Sequence, residues 1–276
     1  TNYFFEIEQS DGDKQYGPSK EHRPNPIIQM GLFMDGDGIP LAFSINRGNM
    51  NEQLTLKPLE KKIISDFELS KFIVCTDAGL ASEDNRKFND KEGRAFITTQ
   101  SIKKLKAHLK KWALDTEGWK LSGSTKTYDI SKLDEMMDQA TPEEKTKIIS
   151  KVFYKERWIK ENNFEQRLIV TYSIKYRDYQ RNIRNAQIER AQKIIENNPT
   201  KIKKCNANDY KRFIHKTSYT PDGEIAEKEK YSIDQAIIQK EEAFDGFYGV
   251  CTNLEDAVSE IIKVNHRRWE IEECFR

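Results

Sequence analysis

In the first hundred residues, short apolar runs alternate with turn residues, and the alternation predicts a compact series of strands and helices. Thr1 to Gln9 reads as a strand closed by the turn Asp11-Gly12-Asp13. Ile27 to Met34 and Pro40 to Asn46 flank Asp35-Gly36-Asp37-Gly38, which predicts an antiparallel hairpin. From Glu52 to Phe67, leucine and isoleucine recur at helical spacing. Phe72-Ile73-Val74-Cys75 follows as an unbroken apolar run, the pattern of a strand buried on both faces, and stops at Thr76-Asp77. A short helix from Ser82 to Asp90 and a strand from Ala95 to Thr99 complete the order β-β-β-α-β-α-β.

From Lys103 to Phe244 the pattern changes to mixed short strands (Trp119 to Ile130, Arg167 to Ser173, Arg212 to Tyr219, Glu224 to Ser232) and one long charged helix, Ile174 to Asn197. We read this stretch as an insertion, giving a core over 1–102, an insertion over 103–244 and a return to the core over 245–276. Phe247 to Thr252 is again a strand. Asn253 to Asp256 has the residues of a helix start, and the last helix runs to the chain end.

Along that last helix Leu254, Val258, Ile261, Asn265, Arg268, Glu272 and Phe275 recur at intervals of three and four and share one face. At about 100° per residue Leu254 and Glu272 eclipse, so a carboxylate sits on the centre line of the apolar stripe. Burying it unpaired costs several kcal/mol, so Glu272 requires a metal or a cationic side chain. Arg268, one turn earlier, is such a cation; exposed, the two make an ordinary i,i+4 pair worth about 0.3 to 0.5 kcal/mol. Asp77 ends a central strand and is followed by Ala78-Gly79, where open α/β sheets present side chains to ligands. Taken alone it also fits a turn residue preparing the next helix.

Composition narrows the chemistry. The 276 residues suffice for one large domain or one with a sizeable insertion. The apolar stretches fall far short of the roughly 20 residues of a bilayer-spanning helix, so no membrane partner is expected. The four cysteines and four histidines are scattered, which leaves carboxylates to hold any metal and favours a reducing, cytoplasmic home. The net charge of +1 conceals two lysine-rich clusters, one around Lys103 to Lys111 and one around Lys201 to Lys216, able to hold phosphate or simply to face solvent.

Arg268-Trp269-Glu270-Ile271-Glu272 with Phe275-Arg276 resembles the Tyr-x-x-Arg-x-x-x-Glu-x(6)-Lys signature of DDE transposases of bacterial insertion sequences. Val74 to Leu80 resembles the strand bearing their second catalytic aspartate. Gly38-Ile39-Pro40-Leu41, Gly48-Asn49 and Glu52 resemble the segment between the first two acids, and Tyr16 to Lys20 the hairpin region. The resemblance implies an α/β fold with a ribonuclease-H-like mixed sheet flanked by helices, and a long β-rich insertion before the last catalytic helix.

It further implies metal-dependent cleavage and strand transfer at transposon ends, with Asp77 and Glu272 as catalytic metal ligands for two Mg²⁺ or Mn²⁺ ions. The partners implied are double-stranded DNA, namely terminal repeats and target, and a second copy of the chain on that DNA, in the nucleoid-associated cytoplasm. Arg268, Asn265, Lys20 and Arg23 are the expected DNA contacts, and Trp112, Trp119 and Trp158 are candidates for stacking on an unpaired base.

There are departures from the signature. The first aspartate falls just ahead of Thr1 and the lysine at the third position after Arg276, so both ends read as cuts and the fragment alone is expected to be inactive. Asn265 stands where the signature has tyrosine. A DNA-binding remnant without chemistry, and a stand-alone ribonuclease-H-like nuclease, are the other readings. Specific binding to inverted repeats separates the nuclease from the transposase.

Overall fold

A computed structural model describes residues 2–19, 24–91, 93–197, 209–219 and 228–268. Its strands are β1 (Asn2–Phe4), β2 (Ile27–Met34), β3 (Pro40–Arg47), β4 (Phe72–Thr76), β5 (Arg94–Thr99), β6 (Trp119–Leu121), β7 (Thr127–Tyr128), β8 (Phe153–Glu161), β9 (Phe164–Tyr172), β10 (Ile214–Tyr219), β11 (Lys228–Ile233) and β12 (Phe247–Thr252). Its helices are α1 (Leu56–Asp66), α2 (Glu83–Phe88), α3 (Ala107–Leu114), α4 (Leu133–Gln139), α5 (Pro142–Ile149), α6 (Ile174–Asn197), α7 (Gln235–Glu242) and α8 (Val258–Arg267). The class is α/β: a mixed seven-stranded sheet, order β4-β5-β12-β9-β8-β6-β7, flanked by helices. Strands β1-β2-β3 and β10-β11 form two further, antiparallel sheets. No described helix is long and apolar enough to cross a membrane.

The chain divides into two compact units, one of 1–101, 156–169 and 249–276, the other of 102–155 and 170–248. The stretch expected as one insertion is therefore shared, because 156–169 packs with the flanking segments. In the first unit Phe164 stacks on Phe96 with ring centroids 6.0 Å apart. Arg86 donates to Gln166 Oε1 at 2.9 Å, and Arg167 donates to the carbonyls of Leu254 and Asp256.

The β2-β3 hairpin forms where Asp35-Gly36-Asp37-Gly38 predicts it. Asp35 Oδ1 accepts from the amides of Asp37 and Ile39, and Gly38 takes φ 83°, a conformation glycine adopts at little cost. The opening strand is shorter than expected, since Phe4 already pairs with Ile27, the first residue of β2. Direct pairing of Leu32 with Phe43 and of Met30 with Ile45 puts these apolar side chains on one face of the small sheet. Phe43 and Ile45 are exposed there.

Helix α1 buries Leu56, Leu59, Glu60 and Ile63, and its first turn tolerates Pro58, which needs no amide there. The apolar run of β4 does not make it a strand buried on both faces. Val74 and Thr76 are buried while Ile73 is exposed, because β4 ends the strand order and only β5 pairs with it among the described residues. Its neighbour β5 is enclosed on both faces, with Ala95, Phe96, Ile97 and Thr98 all buried. Helix α8 begins at Val258, later than Asn253 to Asp256 suggest. Asn253 instead spends its side chain on the amide of Phe96 and the carboxylate of Asp90, and Thr252 Oγ1 donates to the carbonyl of Phe96 at 2.6 Å.

The second unit is held by aromatic and ionic contacts. Trp119, Tyr172 and Phe247 meet edge to face or tilted, with centroids 5.0 to 6.0 Å apart. Lys155, buried, places its ammonium 2.9 and 2.7 Å from the carbonyls of Trp112 and Asp115, satisfying the end of α3, and lies 4.6 Å from the Trp119 ring. Helix α6 has the bounds the sequence predicts, and three of its four arginines face carboxylates. Arg184 makes a two-pronged bond to Asp245 at 2.7 and 2.6 Å with both side chains buried; Arg181 also reaches Asp245, and Arg177 reaches Asp134. Arg190 is exposed.

The least expected core group is Glu60, at 0% exposure. Asn89 Nδ2 donates to both of its oxygens at 3.0 Å, while Asn89 Oδ1 is buried without a partner. Burial pushes the Glu60 carboxyl up to about 7, against the lowering influence of Asn89, Arg94 and Lys57. Because the folded chain binds the carboxyl proton more tightly, the associated stability is full below about 4.5 and is lost as pH rises through about 7. Its ceiling is on the order of 3 kcal/mol, at about 1.4 kcal/mol per pH unit of that rise.

Glu60→Gln, neutral at every pH, is expected to flatten the fall in unfolding temperature between about pH 4.5 and about pH 7 and to be the more stable form above that window. Thermal melts followed by circular dichroism check this; a wild type that gains stability across neutrality would contradict it. Asp245→Ala leaves buried Arg184 with Glu242, 3.4 Å away, in place of its two-pronged partner and is expected to cost about 3 kcal/mol, whereas replacing Arg184 and Asp245 together by leucine restores most of that loss. Urea unfolding of the two variants checks the pair.

Candidate active site at the carboxyl edge of the parallel strands

Strands β4 and β5 run parallel with Thr76 opposite Thr98, so Asp77 and Thr99 leave the sheet at the same edge. The Thr76 hydroxyl donates to Thr98 Oγ1 at 3.0 Å, and the Thr98 hydroxyl lies 3.3 Å from the carbonyl of Asp77, which fixes where the chain departs. The carboxylate of Asp77 then closes a turn, with Oδ1 accepting from the amides of Gly79 at 2.9 Å and Leu80 at 3.1 Å. A Cβ at Gly79 would stand 3.1 Å from that same oxygen, so glycine leaves the carboxylate its room. Asp77 is exposed, and its Oδ2 makes no hydrogen bond among the described residues. The turn reading and the ligand reading of Asp77 are thus compatible: one oxygen shapes the loop and the other faces outward.

A residue that sequence reasoning passed over holds this loop in place. Gln53 donates to the carbonyl of Gly79 and accepts from the amide of Ser82 at 3.0 Å. Asn85, buried, donates to the carbonyls of Gln53 and Leu80 at 3.1 and 3.0 Å. Neither residue is apolar or in a motif, so the only signal was polarity at positions that helical spacing turns inward.

Helix α8 reaches the same edge from the other end of the chain. Its buried side chains Val258, Ile261 and Asn265 follow the predicted three-four spacing, and Arg268 is next in that series. Arg268 donates from Nη1 to Thr99 Oγ1 at 2.7 Å, and its Nε is buried without a partner. No described carboxylate lies within ion-pair distance of this guanidinium. Its charge is felt nearby. It opposes the burial that pushes the Cys75 thiol up to about 11, and it adds to the burial that lowers the His266 imidazole. Arg267 ties the helix end to the β2-β3 turn, donating to the carbonyl of Gly36 at 2.6 Å.

Of the sequence-derived site residues, the fold thus brings Asp77 and Arg268 to one edge and adds Thr99. Asn265 is corrected: at 2% exposure, with its amide 3.8 Å from Cys75 Sγ, it is a packing residue and not a surface contact, as its place on the apolar stripe dictates. Glu272, Lys20 and Arg23 lie outside the described residues. The tryptophans separate cleanly: Trp119 is fully enclosed, Trp112 half-buried and Trp158 exposed at 44%. No group of three or more histidine, cysteine or acidic side chains able to hold a metal occurs among the described residues. In comparisons with known proteins, no family model, no curated protein and no solved structure matches the chain.

Gln53→Ala removes the donor and the acceptor that pin the Asp77 loop. It is expected to cost about 1 to 3 kcal/mol and to raise amide exchange selectively at Gly79 to Ser82. Hydrogen-exchange mass spectrometry checks it, and uniform protection in both proteins would refute the clamp.

Proposed function

We propose that the chain is the catalytic core of a DDE-type DNA transposase with a ribonuclease-H-like arrangement. In this reading it cleaves and joins DNA strands at transposon ends, in the cytoplasm and with a second copy on the DNA. The observation that carries the reading is the placement, on either side of Thr99 at the carboxyl edge of two parallel strands, of an exposed aspartate and an arginine without a described carboxylate partner, contributed by segments far apart in sequence. That is where open α/β sheets take their ligands. The signature around Arg268 and Glu272 gives the reading its chemical direction.

The donor set suits a hard divalent cation as far as it is described. Asp77 offers a carboxylate oxygen that makes no hydrogen bond among the described residues, and hard cations prefer oxygen donors. Asp77 and, by the signature, Glu272 would hold Mg²⁺ or Mn²⁺, which supplies activation of water or of a 3′-hydroxyl and neutralises charge at the phosphodiester.

The chain's own groups do the rest. Asp77 Oδ1 keeps its carboxylate oriented through the amides of Gly79 and Leu80, so little freedom remains to be lost on binding. Arg268, held from one side by Thr99 and with Nε enclosed, has the N–H groups of its guanidinium tip left for phosphate oxygens. Thr99 and Gln53 act as positioning residues.

Asp77→Asn keeps an oxygen for the turn while removing the charge. In the full-length protein it is expected to leave folding and DNA binding nearly intact and to abolish metal-dependent strand cleavage, as is Glu272→Gln. Gel assays of end cleavage with and without Mg²⁺, beside binding isotherms, check this; undiminished cleavage by Asp77→Asn would remove the site. Arg268→Ala is expected to weaken binding and to lower the slope of log K against log salt by about one phosphate contact.

A further inference from the structure

The second unit carries a cationic ridge that the proposed active site does not use. Ile102, Leu105, Leu109 and Ala113 are buried and anchor a 3-10 turn (Ile102–Lys104) and helix α3 along one stripe. The outward positions are almost entirely basic: Lys103, Lys104, Lys106, His108 and Lys111 are exposed and Lys110 is half-buried. No acid occurs from Lys103 to Leu114.

Such a pattern is costly for the helix by itself. Lys106 and Lys110 are like charges one turn apart, worth about 0.2 to 0.5 kcal/mol of destabilisation. Lysines gathered before and at the helix start oppose its dipole. A face that serves only solubility mixes both signs, and elsewhere this chain does so. Lys62 pairs with Asp66, Lys87 with Glu83 and Lys216 with Glu229. On the ridge, Lys103 feels Glu241 and lies over the Phe244 ring, but Lys104, Lys110 and Lys111 have no carboxylate partner among the described residues.

We infer that this ridge, centred on Lys104, Lys110 and Lys111, binds the sugar-phosphate backbone of duplex DNA without reading its sequence. The partner rests on the reading of the chain as a DNA enzyme; the charge arrangement stands independently of it. Each of these three lysines can neutralise one phosphate of a backbone that carries one charge per about 3.4 Å of axis on each strand. The side chains are long, singly charged and flexible, as sequence-independent phosphate contacts require, and no glutamine, asparagine or arginine in the segment is available to read a base edge. An anionic membrane is the less favoured surface, because every apolar residue of the stripe except the helix-end Trp112 and Leu114 is turned inward or small.

The test is fluorescence anisotropy of a labelled duplex across a salt series with the whole chain. Three proteins are compared: wild type, the triple variant K104Q/K110Q/K111Q, and the charge-matched control K62Q/K87Q/K216Q, all shown to be folded by circular dichroism. The ridge variant is expected to lower the slope of log K against log salt by about two to three and to weaken binding roughly ten- to hundredfold, equally for unrelated duplex sequences; the control keeps the wild-type slope. Equal loss in both triple variants reduces the effect to net charge and overturns the inference. So does an unmoved slope, an absence of duplex binding by wild type, or ridge-dependent binding to phosphatidylserine vesicles but not to duplex. Metal-dependent cleavage with an unmoved slope would leave the transposase reading standing and the ridge refuted. Ridge-dependent binding in a protein whose full-length form never cleaves would do the reverse.

Discussion

The parallel ladder between β4 and β5 is the constraint on which the candidate site depends. Parallel strands end at the same side of a sheet, and the register Thr76 to Thr98 sets Asp77 beside Thr99. The hydroxyl contacts among Thr76, Thr98 and the Asp77 carbonyl prevent the strand from running on. A one-residue slip would turn Val74 and Thr76 outward and carry Asp77 away from the edge. Helix α8 depends on the same ladder, since its buried face packs there and its last described residue is held by Thr99.

Around that ladder the first unit relies on buried polar groups more than a simple apolar core would. Asn253 bonds the amide of Phe96, Asn85 bonds the carbonyls that shape the Asp77 loop, and Asn89 meets Glu60. Each is a short amide side chain satisfying backbone or carboxyl groups that the chain's turns leave open. Such groups contribute little net energy when made and cost much when broken, so they define one arrangement of loops rather than adding greatly to stability.

What could be read beforehand follows from this. The DGDG hairpin, helix α6 and the three-four spacing of α8 were legible because turn chemistry and apolar periodicity are local signals. Strand β8 was not, since buried Lys155 breaks its alternation and is explained only by carbonyls at the end of α3. The start of α8 was not legible because Thr252 and Asn253, good capping residues, serve β5 instead. The partners of three α6 arginines were not legible, because Asp134 and Asp245 lie far from them along the chain. At the site, Asp77 and Arg268 could be named from the sequence, whereas Gln53, Asn85 and Thr99 could not, because their roles exist only through residues distant along the chain.

The turn that Asp77 closes with its own carboxylate has a consequence for how tightly anything can be held there. An acidic group on an open loop must surrender its rotational freedom when it captures a ligand, and that loss is subtracted from affinity. Here the amides of Gly79 and Leu80 have already arrested the side chain during folding. Whatever approaches the second oxygen therefore meets a side chain whose orientation is already set.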